Sequence, residues 1–300
     1  MCSEMDVQTW RKEATARAVC RGPTVVSRLL KESETRLPLT DVYCLLGHAT
    51  RKRREFLLAH PEYGLNRREL HRWEEYKRRR LGGEPCAYIT GEKEFYSILF
   101  RVNRHTLIPR PETELLVDAV LALSPGRVLD VGTGCGNIAV AVKSLMRECE
   151  VFALDSSRRA LATAKRNARL LLGNDAVTFV HSNFYKGLRE AHGLREYRFD
   201  VIVSNPPYVK RADLPLLQRE IREYEPSDAL DGGRDGLDAY RSIIDRGGRF
   251  LSRKGKFVLE IDGRLLSGIG LLARQNGYFI EKTQKDLAGK VRMAVLGKTQ

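Results

Sequence analysis

Residues 127–136 read RVLDVGTGCG, and the helical pattern NIAVAVKSLM follows at 137–146. A β-branched run that ends in closely spaced glycines and continues as a helical pattern predicts a strand, a tight turn and a helix. Glycine permits a sharp turn, and main-chain amides at the start of a helix can approach a ligand closely. The spacing is GxGxG, whereas the dinucleotide fingerprint GxGxxG needs glycine where Asn137 stands. The stretch therefore predicts a ligand-binding turn in an α/β sheet.

Six further strand-like runs follow this turn and are separated by helical patterns. They read EVFALD, VTFVH, FDVIVSN, GKFVLEI, YFIEKT and VRMAVLG. Strands that alternate with helices of ten to fifteen residues form parallel crossover units. The sequence therefore predicts an α/β fold with a doubly wound, Rossmann-like sheet covered on both faces.

The part of the chain before this sheet has a different pattern of apolar residues. Helical periodicity recurs in WRKEATARAV, TVVSRLLKES, LTDVYCLLGH and NRRELHRWEEYKRRR, which predicts a small helical bundle over residues 1–80. Glycines and alternating aromatic residues then predict a β-hairpin linker over 81–110. The sheet domain is expected to occupy 111–300.

Composition narrows the class of protein. The 300 residues are 42% hydrophobic and 30% charged, with a mean hydropathy of −0.36, as expected of a globular chain. No secretory signal or long apolar span is visible, and the six cysteines form no CxxC pair, so a reduced chain in the cytoplasm is expected, without a membrane or a metal site. The net charge of +14 favours a polyanionic or acidic partner. The basic runs at 51–54 and 77–80 could contact phosphates but are interpreted as solvated helix faces.

Two side chains at other strand ends extend the predicted ligand site. Asp155 ends EVFALD, where a carboxylate in such folds accepts hydrogen bonds from ribose hydroxyls, although it could instead cap the next helix, from Ser156 or Ser157. Phe184 follows VTFVH, where an adenine would lie, and its ring could stack on that base or belong to the core.

The run FDVIVS ends in Asn205-Pro206-Pro207-Tyr208, which is the most specific indication of chemistry. Two consecutive prolines fix the loop and remove two backbone donors, which leaves carbonyls as pure acceptors. The Asn205 side chain and the Pro206 carbonyl suit a planar NH2 group, on which the Tyr208 ring can lie. Accepting both N–H bonds aims the nitrogen lone pair at an electrophile without a strong general base. A purely structural Pro-Pro turn is the alternative.

A second proline-rich stretch, LIPRPETE, precedes the glycine turn. Pro109 and Pro111 predict an extended entry into a helix, and Glu112 falls in its first turn, where a carboxylate interacts favourably with the helix dipole.

Together these stretches resemble the protein-(glutamine-N5) methyltransferases of the HemK/PrmC family. GxGxG with NPPY alone would also fit enzymes that methylate amino groups of DNA or RNA. The added stretches are GEPCAYITGEKEFYSILFRVNRHTLIPRPETELLVD, EPSDALDGGRDGLDAY and KDLAGKVRMAV. The resemblance implies a class I S-adenosylmethionine-dependent methyltransferase that modifies the glutamine of the Gly-Gly-Gln motif in peptide chain release factors during translation termination.

The resemblance also implies roles for individual residues. It places S-adenosylmethionine, and the product S-adenosylhomocysteine, on Gly132, Thr133, Gly134, Cys135 and Gly136. Asp155 would hold the ribose and Phe184 would lie beside the adenine. Arg110 and Glu112 would close over the donor, which is the alternative to a helix-dipole role of Glu112. The residues that would bind the substrate amide and form the catalytic site are Asn205, which would also touch the donor, Pro206, Pro207 and Tyr208.

Two positions depart from the expected family pattern. Cys135 stands where Ser, Thr or Ala is usual, and Asp262 replaces a glycine expected after Glu260-Ile261. The first change is expected to be tolerated because the backbone binds the ligand there. The remaining rivals are a nucleic-acid amino-methyltransferase and a non-catalytic module, whereas the favoured hypothesis requires release factors as partners and no nucleic acid.

Overall fold

The computed structural model describes residues 24–34, 36–188 and 198–299, which form two units divided after Thr90. The predicted helix at 10–19 lies outside the described residues. The predicted domain limits at residues 80 and 110 stay a prediction. Within the described ranges, no helix is long and apolar enough to cross a bilayer.

The described part of the first unit is helical. Its helices are α1 (Val26–Glu34), α2 (Leu39–Thr50), α3 (Arg54–Ala59), α4 (Arg67–Leu81) and α5 (Cys86–Thr90). The helices pack around a core that includes Leu29, Leu45 and Trp73. Asn66 caps α4, because its side chain accepts from the Glu69 amide while the Glu69 carboxylate accepts from the Asn66 amide. The helical patterns from Thr24 onward therefore predict this unit correctly.

The two basic runs of this unit have different surroundings. In the run 77–80 at the end of α4, three cations pair within the unit. The pairs are Lys77 with Glu74, Arg79 with Glu84, and Arg80 with Asp41. All four residues of the run 51–54 are exposed. The run 51–54 therefore leaves more of its positive charge accessible than the run 77–80 does.

The second unit begins with the predicted hairpin. Strands β1 (Glu92–Phe95) and β2 (Ile98–Arg101) pair antiparallel through a two-residue turn. Both turn residues, Tyr96 and Ser97, have positive φ angles of 53° and 58°, as a type I′ turn requires. The Glu114 carboxylate accepts from the Tyr96 amide at 2.7 Å and secures this turn.

A seven-stranded sheet forms the centre of the second unit. Its strands are β3 (Arg127–Val131), β4 (Glu150–Asp155), β5 (Thr178–His181), β6 (Phe199–Ser204), β7 (Leu251–Glu260), β8 (Tyr278–Lys285) and β9 (Val291–Lys298). The spatial order is β5-β4-β3-β6-β7-β9-β8. The order reverses between β3 and β6, which makes the carboxyl ends of these two strands the expected ligand site of a doubly wound sheet.

Strand β9 differs from the predicted series of parallel crossovers. It pairs antiparallel with both β7 and β8. Residues 286–290 alone separate it from β8, and a parallel crossover needs a dozen residues or more. The short connection therefore forces a hairpin at this edge.

Helices cover both faces of the sheet. The helices of this unit are α6 (Glu114–Leu123), α7 (Asn137–Leu145), α8 (Arg158–Leu172), α9 (Arg219–Tyr224), α10 (Asp238–Gly247) and α11 (Leu266–Gln275). Helix α7 contacts α6 and α8, whereas α10 contacts α11. Leu129 of β3 shares a core with Ile243 and Ile269, and the alternating Val128 is equally buried on the other face. This two-sided burial explains why the central strands are continuously apolar.

Candidate active site

A cavity of about 580 Å³ opens at the carboxyl ends of the central strands. Most of the residues predicted for the site line this cavity, namely Gly132, Gly134, Asp155, Phe184, Asn205, Pro206 and Pro207. The other predicted residues adjoin these in sequence but do not line the cavity in the described part of the chain; they are Thr133, Cys135, Gly136 and Tyr208. The fold therefore brings the glycine turn, the β4 end and the NPPY loop to one place.

Backbone hydrogen bonds to strand β4 hold the glycine turn in place. The amides of Gly132 and Thr133 both donate to the Leu154 carbonyl, at 2.9 and 2.8 Å. Gly134 has a φ angle of +59°, and a Cβ added there would meet nothing within 4 Å, because the residue faces the cavity. A Cβ on Gly136 would instead lie 3.2 Å from the Ala164 Cβ. Gly134 thus leaves room for a ligand, and Gly136 allows α8 to pack closely.

Two buried polar side chains, Asp130 and Asn167, form hydrogen bonds to residues of this turn. The Thr133 hydroxyl donates to the Asp130 carboxylate at 2.6 Å, and burial raises the pKa of Asp130 to about 7. Asn167 of α8, which is 1% exposed, donates to the carbonyls of Cys135 and Arg101 and accepts from the Arg101 amide. Asn167 therefore ties the hairpin to the glycine turn.

Asp155 lies at the end of β4 and points its carboxylate across the turn. One carboxylate oxygen accepts from the Gly134 amide at 2.9 Å and the other from the Ser157 amide at 2.8 Å. The N-cap of α8 is Ser157, whose hydroxyl accepts from the Ala160 amide, so capping is not the main role of Asp155. Burial raises the pKa of Asp155. A carboxylate has about four acceptor positions, so it keeps capacity for a ligand that enters the cavity.

Phe184 belongs to the core and also borders the cavity, so its contact with an adenine stays a prediction. Its ring packs against the core that contains Leu154, and it also lines the cavity. The residue has a φ angle of +49°, which is uncommon for an aromatic residue. Ser182 stabilises this conformation, because its hydroxyl donates to the Phe184 carbonyl and accepts from the Gly187 amide.

Asn205 is connected to two buried groups that lie far from it in sequence. Its Nδ2 donates to Thr113 Oγ1 at 3.1 Å, and Thr113 Oγ1 donates to Glu260 Oε2 at 2.6 Å. Thr113 and Glu260 are 1% and 2% exposed. The Asn205 amide thus has a defined orientation at the edge of the cavity.

Tyr208 contacts the same carboxylate. Its hydroxyl donates to Glu260 Oε1 at 3.3 Å, and its ring packs against the core. Burial and the Glu260 charge raise the pKa of Tyr208, so the phenol stays protonated at neutral pH. Tyr240 donates to the backbone carbonyl of Glu260 at 2.7 Å. Glu260 is therefore the shared anchor of the NPPY loop.

The segment after NPPY clamps the loop from the other side. The Val209 amide donates to the Leu230 carbonyl, and the Gly232 amide donates to the Val209 carbonyl. A Cβ on Gly232 would lie 2.8 Å from the Cα and carbonyl carbon of Tyr208. Only glycine allows so close an approach to this backbone.

A strap at 103–110 closes one side of the cavity. His105, Thr106 and Leu107 line the cavity, and the buried Glu225 carboxylate accepts from the Ile108 amide at 3.2 Å and from Arg110 Nη2 at 2.5 Å.

Arg110 therefore holds this strap, and neither it nor Glu112 is among the described lining residues. Glu112 lies in the short 3-10 turn Pro111–Thr113 that leads into α6, as the helix-dipole alternative requires.

Comparisons with known proteins identify the family of this chain. Residues 24–91 match the model of the PrmC N-terminal domain, and residues 111–223 match that of the Methyltransferase small domain. A release factor glutamine methyltransferase of Caulobacter vibrioides is 35% identical over 91% of this chain and 94% of its own length. One of Thermodesulfovibrio yellowstonii is 38% identical over 74% of this chain and 79% of its own.

This chain belongs to the release factor glutamine methyltransferase family. A bifunctional methyltransferase of Rickettsia bellii is 34% identical over 85% of this chain, which spans about half of that relative's length. The crystal structure of a methyltransferase from Pyrococcus furiosus aligns with a TM-score of 0.49 at 20% identity and covers 75% of this chain and 98% of its own. The family expected from the sequence is confirmed.

The two departures from the family pattern have local explanations. Cys135 is 1% exposed and contributes its backbone carbonyl to Asn167, so its thiol faces the interior. Asp262 accepts from the Arg264 amide at 2.9 Å and pairs with the Arg264 side chain, which makes it the N-cap of the turn Gly263–Leu265. Neither residue lines the cavity in the described part of the chain.

Among the described residues of this family member, no group of three or more His, Cys, Asp or Glu side chains is placed to hold a metal ion.

Proposed function

We propose that this chain transfers a methyl group from S-adenosylmethionine to the side-chain amide nitrogen of the glutamine in the Gly-Gly-Gln motif of peptide chain release factors. The observation that carries the proposal is the single cavity in which the glycine turn and the NPPY loop meet, with the Asn205 amide held by Thr113. Family membership supports the release factor as substrate. The reaction belongs to translation termination in the cytoplasm.

The residues of the glycine turn fit S-adenosylmethionine. Space lies open above Gly132 and Gly134, and the Asp155 carboxylate and the Phe184 ring border the same cavity. The cavity volume is within the range of small-molecule sites. Asp155 would accept from the ribose hydroxyls and Phe184 would contact the adenine. When bound, the donor supplies a methyl group made electrophilic by its sulfonium sulfur, and S-adenosylhomocysteine remains.

The NPPY loop supplies acceptors to the glutamine amide. Because Asn205 directs its NH2 to Thr113, its oxygen is the end that can accept from the substrate. The Pro206 carbonyl is proposed as the second acceptor, and Pro207 and Tyr208 would frame the amide plane. Hydrogen bonds from both N–H groups to these acceptors would hold the nitrogen lone pair in line with the methyl carbon, so that transfer needs no strong general base. The methylated nitrogen would then release one N–H proton to solvent.

Affinity for a protein substrate must come from outside this cavity. A glutamine side chain buries far less than the roughly 1,200 Å² of a stable protein complex. We therefore propose that residues 1–80 dock the release factor, with the exposed run 51–54 providing positive charge. Deleting 1–80 should leave donor affinity nearly normal but lower activity on intact release factor far more than on a Gly-Gly-Gln peptide. Equal activity of both forms on intact release factor would remove the docking role.

Labelled methyl donor distinguishes the proposal from its rivals. Purified chain is incubated with the donor and either release factor or nucleic acid. Label in the release factor supports the proposal, label in nucleic acid identifies an amino-methyltransferase of DNA or RNA, and label in neither identifies a non-catalytic module. A chelator should not change the rate of methylation, since no metal is required. The reaction should also proceed without nucleic acid, and S-adenosylhomocysteine should compete with the donor.

A further inference from the structure

The hydroxyl of Thr113 lies between two groups of fixed hydrogen-bonding character. An ionised Glu260 carboxylate only accepts, so at 2.6 Å it takes the single hydrogen of Thr113. The Thr113 oxygen can then only accept from Asn205, which must present its NH2 at 3.1 Å. The Asn205 oxygen is thereby left for a ligand in the cavity.

We propose that Thr113 and Glu260 are positioning residues that select the catalytic orientation of the Asn205 amide. In the opposite orientation the Asn205 NH2 would face the NH2 of the substrate. Both groups are donors, so no hydrogen bond could form between them. This inference rests on the proposed function for its catalytic consequence. The two residues touch no reacting atom and act through Asn205.

The protonation of Glu260 gives this arrangement a dependence on pH. Burial raises the pKa of Glu260 to about 7, although the bonds from Thr113 and Tyr208 lower it. Two charged groups act on this carboxyl: Glu112 raises its pKa and Arg292 lowers it.

Two further groups adjoin the carboxyl. Asp262 follows in the chain and pairs with Arg264, and the Tyr240 hydroxyl binds the Glu260 backbone. A protonated Glu260 carries a hydrogen of its own and no longer dictates where the Thr113 hydrogen points. Methyl transfer is therefore expected to rise with pH as Glu260 ionises.

Three variants test the orientation. Thr113→Val removes the hydroxyl at nearly constant volume and should lower kcat by about tenfold or more, while the donor dissociation constant from calorimetry changes less than about threefold. Thr113→Ser keeps the hydroxyl and should restore most of the lost activity. Tyr240→Phe removes a buried hydroxyl that, in the described part of the chain, donates to the Glu260 backbone carbonyl and not to its carboxylate. Equal losses in Thr113→Val and Tyr240→Phe, or a loss below about threefold in Thr113→Val, would overturn the proposal.

Glu260→Gln tests the dependence on pH. The kcat of the wild type should rise between about pH 6 and 8, and the profile of Glu260→Gln should be low and flat over this range, because its amide is neutral throughout. A rise that persists in Glu260→Gln would assign it to another group, such as Asp130, and would contradict the role of Glu260.

A spectroscopic measurement separates this inference from the proposed function. The side-chain NH2 resonance of Asn205, assigned with Asn205→Ala, should shift with pH in the wild type but not in Glu260→Gln, and should move in Thr113→Val. If these shifts occur in a chain that does not methylate release factor, the proposed function is wrong and the positioning stands. If the wild type is active and the resonance is indifferent to Thr113 and Glu260, the positioning is wrong.

Discussion

Replacing Gly232 by alanine should displace the loop that carries Tyr208. The added Cβ would lie 2.8 Å from the Tyr208 Cα and 2.9 Å from the Gly236 Cα. Carbon atoms prefer separations of about 3.5 Å or more, so the NPPY loop must move by about 0.7 Å. A misplacement of about 1 Å at reacting groups costs about a hundredfold in rate, so kcat should fall by about tenfold. Overpacking should also lower the free energy of unfolding by about 1–3 kcal/mol.

The measurement compares Gly232→Ala with Gly126→Ala as a matched control. A Cβ on Gly126 meets only an Asp200 carboxylate oxygen at 3.4 Å, and Gly126 does not line the cavity. Steady-state methylation of release factor gives kcat, calorimetry gives the donor affinity, and thermal unfolding gives stability. We expect both variants to fold and to bind the donor as the wild type does. Only Gly232→Ala should have a lower kcat. A kcat within twofold of the wild type would refute the claim that Gly232 sets the position of the loop.

Other substitutions give separable results. Asp155→Ala should raise the donor dissociation constant by about tenfold or more, because bonds to the ribose and the bond to the Gly134 amide are lost; unaltered affinity in calorimetry would exclude this role. Asn205→Ala should nearly abolish kcat and leave donor affinity within about tenfold, and unchanged turnover would remove Asn205 from the mechanism. Glu260 has a folded-state pKa of about 7, above its ordinary value of 4.5, so the wild type should lose stability as pH rises from about 4.5 to 7. Over this pH range, the free energy of unfolding from denaturant titrations should fall less in Glu260→Gln than in the wild type, by an amount on the order of 3 kcal/mol. An equal fall in both proteins would contradict the burial of an ionisable Glu260.

The sequence predicted those parts of the site that lie at the ends of strands. Asp155 and Asn205 each follow a continuous apolar run, and parallel strands bring their carboxyl ends to one edge, so strand assignment alone placed both at the cavity. The glycine turn was equally visible because its spacing is local.

The supporting residues were not predicted from the sequence. Thr113 lies 92 residues from Asn205 and 147 from Glu260, and nothing in the local pattern pairs them. Asn167 sits within an amphipathic helix, where a single asparagine is ordinarily a surface residue, yet it is buried against two backbone segments. Such contacts depend on how helices pack across the sheet, which a single sequence does not encode locally.

The antiparallel β9 was missed for a different reason. Its apolar pattern is like that of the parallel strands, and only the five-residue connection at 286–290 distinguishes it. Connection length was therefore more informative there than periodicity.

The most direct test of the proposed reaction is mass spectrometry of a release factor incubated with this chain and S-adenosylmethionine. We predict a mass increase of one methyl group, located by fragmentation on the glutamine of the Gly-Gly-Gln motif, with the wild type and not with Asn205→Ala. An unmodified release factor, or a methyl group on any other residue, would contradict the account.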